Sequence, residues 1–574
     1  MERIAPFATN AGPTLPAYLS EIARQFGPRP ALVSASETFS YASLGERAAR
    51  YGGWAAEQGL GRGETVCLLM PNRPEFAAIW LGVSGAGGVG ALLNTNLTGD
   101  ALLHAIGAAS PRHIIVDASL EPAVATIRDR LPQRAEVWTH GASRLWPRLD
   151  REIERARPAA PVNETRLSDP ALLIYTSGTT GLPKAARVSH RRVMEWSCWF
   201  AGMLDAGPED RMYDCLPMYH SVGGVVALGA MLTTGGSVLI RERFSASRFW
   251  DDVVEGDCTL FQYIGELCRY LVESRPHPRE TAHRLRLCSG NGLRGDVWEA
   301  FQQRFRIPRI LEFYASTEGN LSLYNCDGKP GAIGRIPPFL AHRFPIALTR
   351  TDIETGEPVR GPDGLCIRSG VNEPGEALGR IGGADRGEGR PFEGYTDQAA
   401  SERKILCDVL APGDAWFRTG DLMRRDKAGF YYFVDRLGDT FRWKGENVST
   451  EEVAAALRAC KGIADAVVYG VAVPGTEGRA GMAAVIASEP PDLETLHCEL
   501  TEKLPHYARP VFLRMCTQIA TTGTFKPVRS TLASQGFDPA YIVDALYFND
   551  RSAGCFIALD EALYNRIMAG VIQL

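Results

Sequence analysis

Between residues 30 and 131 short apolar runs alternate with segments of helical period, and this rhythm constrains the fold more than any other feature. Ala31-Leu32-Val33 leads to a helix expected over 43–58. Thr65-Val66-Cys67-Leu68-Leu69 leads to one over 74–85, and His113-Ile114-Ile115-Val116 to one over 121–130. Parallel strands need a crossover of a dozen or more residues between them, commonly a helix. The pattern therefore selects an α/β architecture, a mostly parallel sheet with helices on both faces. The 574 residues exceed what one hydrophobic core serves, so two or three domains are expected. Two uncharged runs, 76–93 and 215–240, reach the length of a membrane span. Glycines interrupt both, and the second carries Pro217, His220 and Thr233-Thr234. Each divides into a helix followed by a Val/Leu-rich strand, the pattern of buried α/β core. The segment 141–169, rich in Arg, Pro and Glu, reads as a solvated connection.

That connection feeds an apolar strand, Ala171-Leu172-Leu173-Ile174, and then Tyr175-Thr176-Ser177-Gly178-Thr179-Thr180-Gly181-Leu182-Pro183-Lys184. A loop of hydroxyls and glycines can wrap its N–H groups and side-chain oxygens around phosphate, while Lys184 adds a point charge. It is not a Walker A loop, which needs four residues between its glycines and then Gly-Lys-Ser/Thr. Alone it is equally a surface turn. Further pieces follow in order. Leu216-Pro217-Met218-Tyr219-His220 places a histidine beyond a strand, and Leu287-Cys288-Ser289-Gly290-Asn291-Gly292 is a strand stopped by a turn. Glycines at a strand's carboxyl end let a flat ring lie against the backbone. Phe313-Tyr314-Ala315-Ser316-Thr317-Glu318-Gly319-Asn320 and Trp416-Phe417-Arg418-Thr419-Gly420-Asp421 come next. Asp435-Arg436-Leu437-Gly438-Asp439 follows, where the texture of the chain changes. Trp443-Lys444-Gly445-Glu446-Asn447-Val448-Ser449 and Thr521-Thr522-Gly523-Thr524-Phe525-Lys526 complete the series.

Each piece is weak by itself; together they span the chain and resemble the adenylate-forming superfamily of acyl-CoA synthetases, adenylation domains and luciferases. The resemblance implies a large N-terminal domain of stacked α/β sheets, residues 1–437, and a small mobile C-terminal α/β domain, residues 438–574. It implies ATP, Mg²⁺ and coenzyme A as cofactors and co-substrates. On the matching residues, Thr176, Ser177, Gly178, Thr179, Thr180, Gly181 and Lys184 hold phosphates. Gly290, Asn291 and Gly292 pack on adenine with Tyr314, beside Ser316 and Thr317. Glu318 holds the metal, Asp421 meets the ribose, Arg436 meets the ribose or a phosphate, and His220 lines the acyl pocket. Lys526, with Glu318 and Thr176, serves catalysis of adenylation. Lys444, Gly445 and Glu446 form the loop on the coenzyme A side, and Gly438 is the pivot between the domains, where most of the superfamily carries Asp or Lys.

A narrower resemblance, to the very-long-chain acyl-CoA synthetases also called fatty acid transport proteins, rests on several segments: 244–250, 263–271, Gly438 to Thr450, Val473 to Met482, and Gly536-Phe537-Asp538-Pro539. It implies activation of a long or very long chain fatty acid and transfer to coenzyme A. A ligase of a biosynthetic pathway, acting on an aromatic or other small acid or on another nucleophile, would share every adenylation motif and stays open. A net charge of −5 and pI near 6.1 exclude a typical nucleic-acid binder, which needs a basic excess. Thirteen scattered cysteines without C-x-x-C suit reduced thiols in a cytoplasmic protein. Residues 1–25 are expected to be neither signal peptide nor anchor. The expected partners are small-molecule substrates, with peripheral membrane contact and a homodimer as open options.

Overall fold

The computed structural model describes residues 12–162, 164–177, 182–353, 355–382, 390–444, 446–474, 476, 478–522 and 527–572. The chain divides into two compact units, Met1–Arg335 with Arg390–Ile405, and Ile336–Gly389 with Leu406–Leu574.

The first unit holds two sheets. One runs in the order Glu136–His140, His113–Asp117, Thr65–Leu69, Val89–Leu92, Pro170–Ser177, Pro183–Ser189. All its pairs are parallel except the last, which is antiparallel. The other runs Ser322–Asn325, Ile310–Ala315, Leu287–Asn291, Leu260–Ile264, Arg211–Asp214, Ser237–Ile240, Pro30–Val33, Thr38–Ser40, with antiparallel pairs only at its two edges. The expected α/β alternation is thus present, but the first strand of the series belongs to the second sheet, parallel to Ser237–Ile240. Sequence rhythm reports strand spacing and carries no information on which sheet a strand joins.

Thr65–Leu69 and the helix Pro74–Gly85 lie where the sequence places them, every residue of both buried. The run 76–93 is therefore a helix turning into the strand Val89–Leu92, and 215–240 becomes a π-helical segment, Val222–Ala227, the short helix Leu228–Leu232 and the strand Ser237–Ile240. Among the described residues no helix is long and apolar enough to cross a membrane. Three local expectations fail. The helix over 121–130 breaks into Glu121–Ala125 and a 3₁₀ turn at Arg128–Arg130. The connection 141–169 contains a helix, Leu149–Arg155, because Leu149 and Ile153, four apart, share one buried face. The segment 262–271 reads as helical in the sequence, but it starts as the strand Leu260–Ile264 before the helix Gly265–Glu273.

The second unit contains an antiparallel sheet of Ile346–Thr349, Gly375–Arg380, Ala415–Arg425 and Phe430–Arg436. It also contains a five-stranded sheet, Ile463–Val471, Ala480–Ala487, Phe512–Met515, Ala545–Asp550 and Cys555–Ala558. The boundary read at 437/438 falls inside this unit, in the turn between Phe430–Arg436 and Phe441–Trp443. Across that turn the buried Asp435 accepts from the Thr450 amide at 2.6 Å, at the start of the helix Thr450–Arg458 capped by Ser449.

Candidate active site

The first unit presents two groups of predicted site residues. One is the turn after Leu287–Asn291. A Cβ on Gly290 would lie 2.3 Å from the ring and from the carbonyl oxygen of Tyr263, so only glycine fits there. Gly292 has φ +80°, a conformation glycine adopts without strain. Beneath the turn lies Glu312, 1% exposed. Its Oε1 accepts from the Leu293 amide at 3.0 Å and its Oε2 from the Tyr263 hydroxyl at 2.6 Å. Burial pushes the Glu312 carboxyl up to about 8, against those donors. Among the described residues, Asn291 Oδ1 and Ser316 Oγ are buried without a hydrogen-bond partner.

The other group surrounds the end of Ile310–Ala315. Tyr314 is half-buried on that strand. Thr317 Oγ1 lies 3.1 Å from Ser221 Oγ, one residue beyond the half-buried His220, which closes the Pro217 turn through its amide at 3.1 Å. Glu318 Oε1 accepts from the Tyr395 hydroxyl at 3.0 Å, and the Glu318 carbonyl accepts from Arg192 Nη1 at 3.4 Å. The side chain of Thr176, on the strand Pro170–Ser177, lies near the same Tyr395 hydroxyl. Thr176 pairs with Lys184 across the antiparallel hairpin, and Lys184 Nζ stands 6.0 Å from the centre of the Tyr395 ring. Gly178, Thr179, Thr180 and Gly181 lie outside the described residues, as does the side chain of Ser177. The structure thus brings the hairpin of Thr176 and Lys184 and the distant Glu318 together at one tyrosine that no sequence motif singles out.

Asp421 and Arg436 belong to the second unit, opposite one another on adjacent antiparallel strands, with Arg436 Nε 3.6 Å from Asp421 Oδ1. Lys444 is exposed at φ +51°, 5.7 Å from the centre of the Trp443 ring, in the turn of the hairpin Phe441–Trp443 to Glu446–Val448. Burial, then the charge of Arg551, pulls the Lys444 amine below its usual value. Glu446 is exposed. Gly445 and Lys526 lie outside the described residues. A Cβ on Gly438 would meet nothing within 4 Å.

The donor chemistry fits the groups expected here. Glu318, Thr176 and Thr317 are hard oxygen donors of the kind Mg²⁺ takes, and Glu318 has one oxygen held by a hydroxyl rather than by a cationic side chain. The bare backbone at Gly290 and the unpartnered oxygens of Asn291 and Ser316 suit a flat ring with polar edges. Tyr395, Ser221, Arg192 and Glu312 are the contributors that sequence analysis misses. Only Glu312, a charged residue inside the apolar run Ile310-Leu311-Glu312-Phe313, leaves a visible signal.

Two family models match the chain, the AMP-binding enzyme over residues 19–376 and the AMP-binding enzyme C-terminal domain over 452–526. Long-chain fatty acid transport protein 1 of Mus musculus is 41% identical, over 98% of this chain and 89% of its own length. Long-chain fatty acid transport protein 3 of Homo sapiens is 41% identical, over 90% of this chain and 76% of its own length. Among solved structures, a benzoate CoA ligase from Burkholderia xenovorans LB400 superposes with a TM-score of 0.76 at 22% identity, covering 91% of this chain and all of that one. A fatty acyl CoA synthetase from Mycobacterium tuberculosis gives 0.66 at 22%, covering 91% of this chain and 98% of that one. With the loops, turns and carboxylate in the order that the motifs require, the chain belongs to the AMP-binding enzyme family, in the branch of the long-chain fatty acid transport proteins.

Proposed function

We propose that this chain activates a long or very long chain fatty acid with ATP and passes the acyl group to coenzyme A. The observation that carries the chemistry is the hydrogen bond to Glu318, a carboxylate suited to a metal, from Tyr395, whose backbone pairs with the strand Pro183–Ser189 on the far side of the phosphate loop. The names of the relatives support the substrate class. In the first step an oxygen of the fatty carboxylate attacks the α-phosphorus of ATP and the bond to pyrophosphate breaks. Mg²⁺, held by Glu318, would screen the triphosphate charge. Lys184 and Lys526 offset charge building on the phosphates, and the turn at Gly290–Gly292 with Tyr314 fixes the purine so that attack is in line. In the second step the thiol sulfur of coenzyme A attacks the acyl carbon, the bond to AMP breaks, and the thiol proton is lost to solvent.

The hairpin of Lys444, Gly445 and Glu446 serves this second step, and Gly438 serves as pivot. The empty space around Gly438 supports that role, because the present conformation does not itself require glycine. Asp421 and Arg436 take the ribose hydroxyls, and His220 lines the acyl channel. A cytoplasmic location with peripheral membrane contact, and a homodimer where the chain self-associates, belong to the same proposal.

The test is pyrophosphate exchange and thioester formation with acids from about eight to about twenty-four carbons and with aromatic acids. Each methylene leaving water contributes about 0.8 kcal/mol, so four more should raise kcat/KM roughly a hundredfold until the channel ends. A maximum on an aromatic acid, or AMP release without thioester, overturns the fatty-acid reading.

A further inference from the structure

We infer that Tyr395 is a positioning residue for metal-bound ATP, holding the Glu318 carboxylate in register with the strand that enters the phosphate loop. The inference rests on the reading of Glu318 as the metal carboxylate.

Tyr395 reaches the site from a remote stretch of chain laid along Pro183–Ser189. The Arg187 amide donates to the Gly394 carbonyl at 2.9 Å, and the Thr396 amide to the Ala185 carbonyl at 2.9 Å, with Tyr395 opposite Ala186. Glu393 accepts from the Ser189 amide at 2.7 Å and from its hydroxyl at 2.6 Å, while Ser189 also caps the helix His190–Met203. On the other side the Tyr395 amide donates to Ser401 Oγ at 2.8 Å. The backbone is therefore held before, at and after the residue. The ring is 3% exposed and packs with Ala186 and Ala400. A buried ring on a fixed backbone delivers its hydroxyl to one place.

The Tyr395 hydroxyl is a phenol donor that faces the Glu318 carboxylate at 3.0 Å. It has one hydrogen to give, and gives it to Glu318 Oε1. An arginine or lysine in that position would neutralise the carboxylate and compete with a cation. A phenol orients it and leaves its charge, which is what an outer partner of a ligating carboxylate has to do.

The experiment uses the full chain with Tyr395→Phe, which keeps the ring and removes only the hydroxyl, beside Glu318→Gln. Calorimetry measures the affinity for ATP with Mg²⁺ and for ATP in EDTA. Loss of such an outer partner typically costs 10–100-fold in metal affinity. Tyr395→Phe should therefore weaken Mg-ATP binding by roughly that factor, leave metal-free ATP within about twofold, and raise the half-saturating Mg²⁺ in pyrophosphate exchange. Glu318→Gln should move Mg-ATP the same way and further. If Glu318→Gln weakens Mg-ATP and Tyr395→Phe does not, the inference falls while the metal reading stands. If neither does, both fall. Equal weakening with and without metal assigns Tyr395 a merely structural role and overturns the inference. Should the Phe variant unfold, Tyr395→His, which retains a ring and an N–H donor, takes its place. Intermediate metal-dependent affinity then supports the inference, and equal loss in both conditions overturns it.

Discussion

Glu312 and Glu318 sit six positions apart, one within the strand Ile310–Ala315 and one just beyond it, and they have opposite fates. Glu312 is sealed under the Gly290–Gly292 turn, with Tyr263 and the Leu293 amide on its two oxygens and its ionisation pushed up to about 8. Glu318 is half-buried and takes a neutral hydroxyl from Tyr395. The first is a strut: its oxygens serve the protein's own donors, and dehydration disfavours its charge. The second keeps some contact with water and, among the described residues, meets one side-chain donor on its carboxylate, which leaves acceptor capacity of the kind a cation needs. The same side chain becomes structural or functional according to how many donors meet it and how much water it keeps.

The largest effect that separates the two is on chemistry. Glu318→Gln should slow acyl-adenylate formation by about 10²–10³, the scale for removing one charge-stabilising group, while the melting temperature stays unchanged. Pyrophosphate exchange and calorimetric melting check it, and a destabilised but active variant would reverse the assignment. Next comes Glu312→Ala, which strands the Tyr263 hydroxyl and the Leu293 amide without an acceptor. At about 1–3 kcal/mol for each buried group left unsatisfied, the variant should lose roughly 2–5 kcal/mol in denaturant unfolding. Its KM for ATP should rise because the turn loses its support. An unchanged KM would detach Glu312 from the nucleotide site.

The smallest effect concerns pH. An unfolded Glu titrates near 4.3, whereas native Glu312 titrates near 8. Between those values the native protein holds a proton that the unfolded chain has released. The stability contributed by this group is therefore fully present below about pH 4, is lost progressively above it, and is gone once pH has passed through the native value. Relative to Glu312→Gln, the wild type should lose a few degrees of melting temperature between about pH 5 and about pH 8.5. A difference flat with pH would show that Glu312 stays ionised in the fold.

What could be read from the sequence follows the range of the forces involved. Thr65–Leu69 and Pro74–Gly85 were legible because burial of a whole element leaves an uninterrupted apolar run. The Leu149–Arg155 helix was not, because its two buried residues are diluted by five charged ones. Gly290 was legible as a functional glycine, yet the reason that nothing larger fits is a ring from the neighbouring strand, Tyr263. Tyr395 left no mark, since its importance comes from pairing with a hairpin some 200 residues earlier.

By itself the sequence determined the α/β class, the order of the Thr/Ser/Gly loop, the Gly-Asn-Gly turn and the Glu318 segment, and the family, because each rests on local residue types at short spacing. Only the tertiary structure decided which sheet receives Pro30–Val33, which of the two glutamates is sealed under a turn with both oxygens taken by the protein's own donors, and which hydroxyl meets Glu318. Those outcomes depend on dehydration and on hydrogen bonds a few ångströms long between chemically ordinary residues that lie far apart in the chain, and no local pattern encodes such distances.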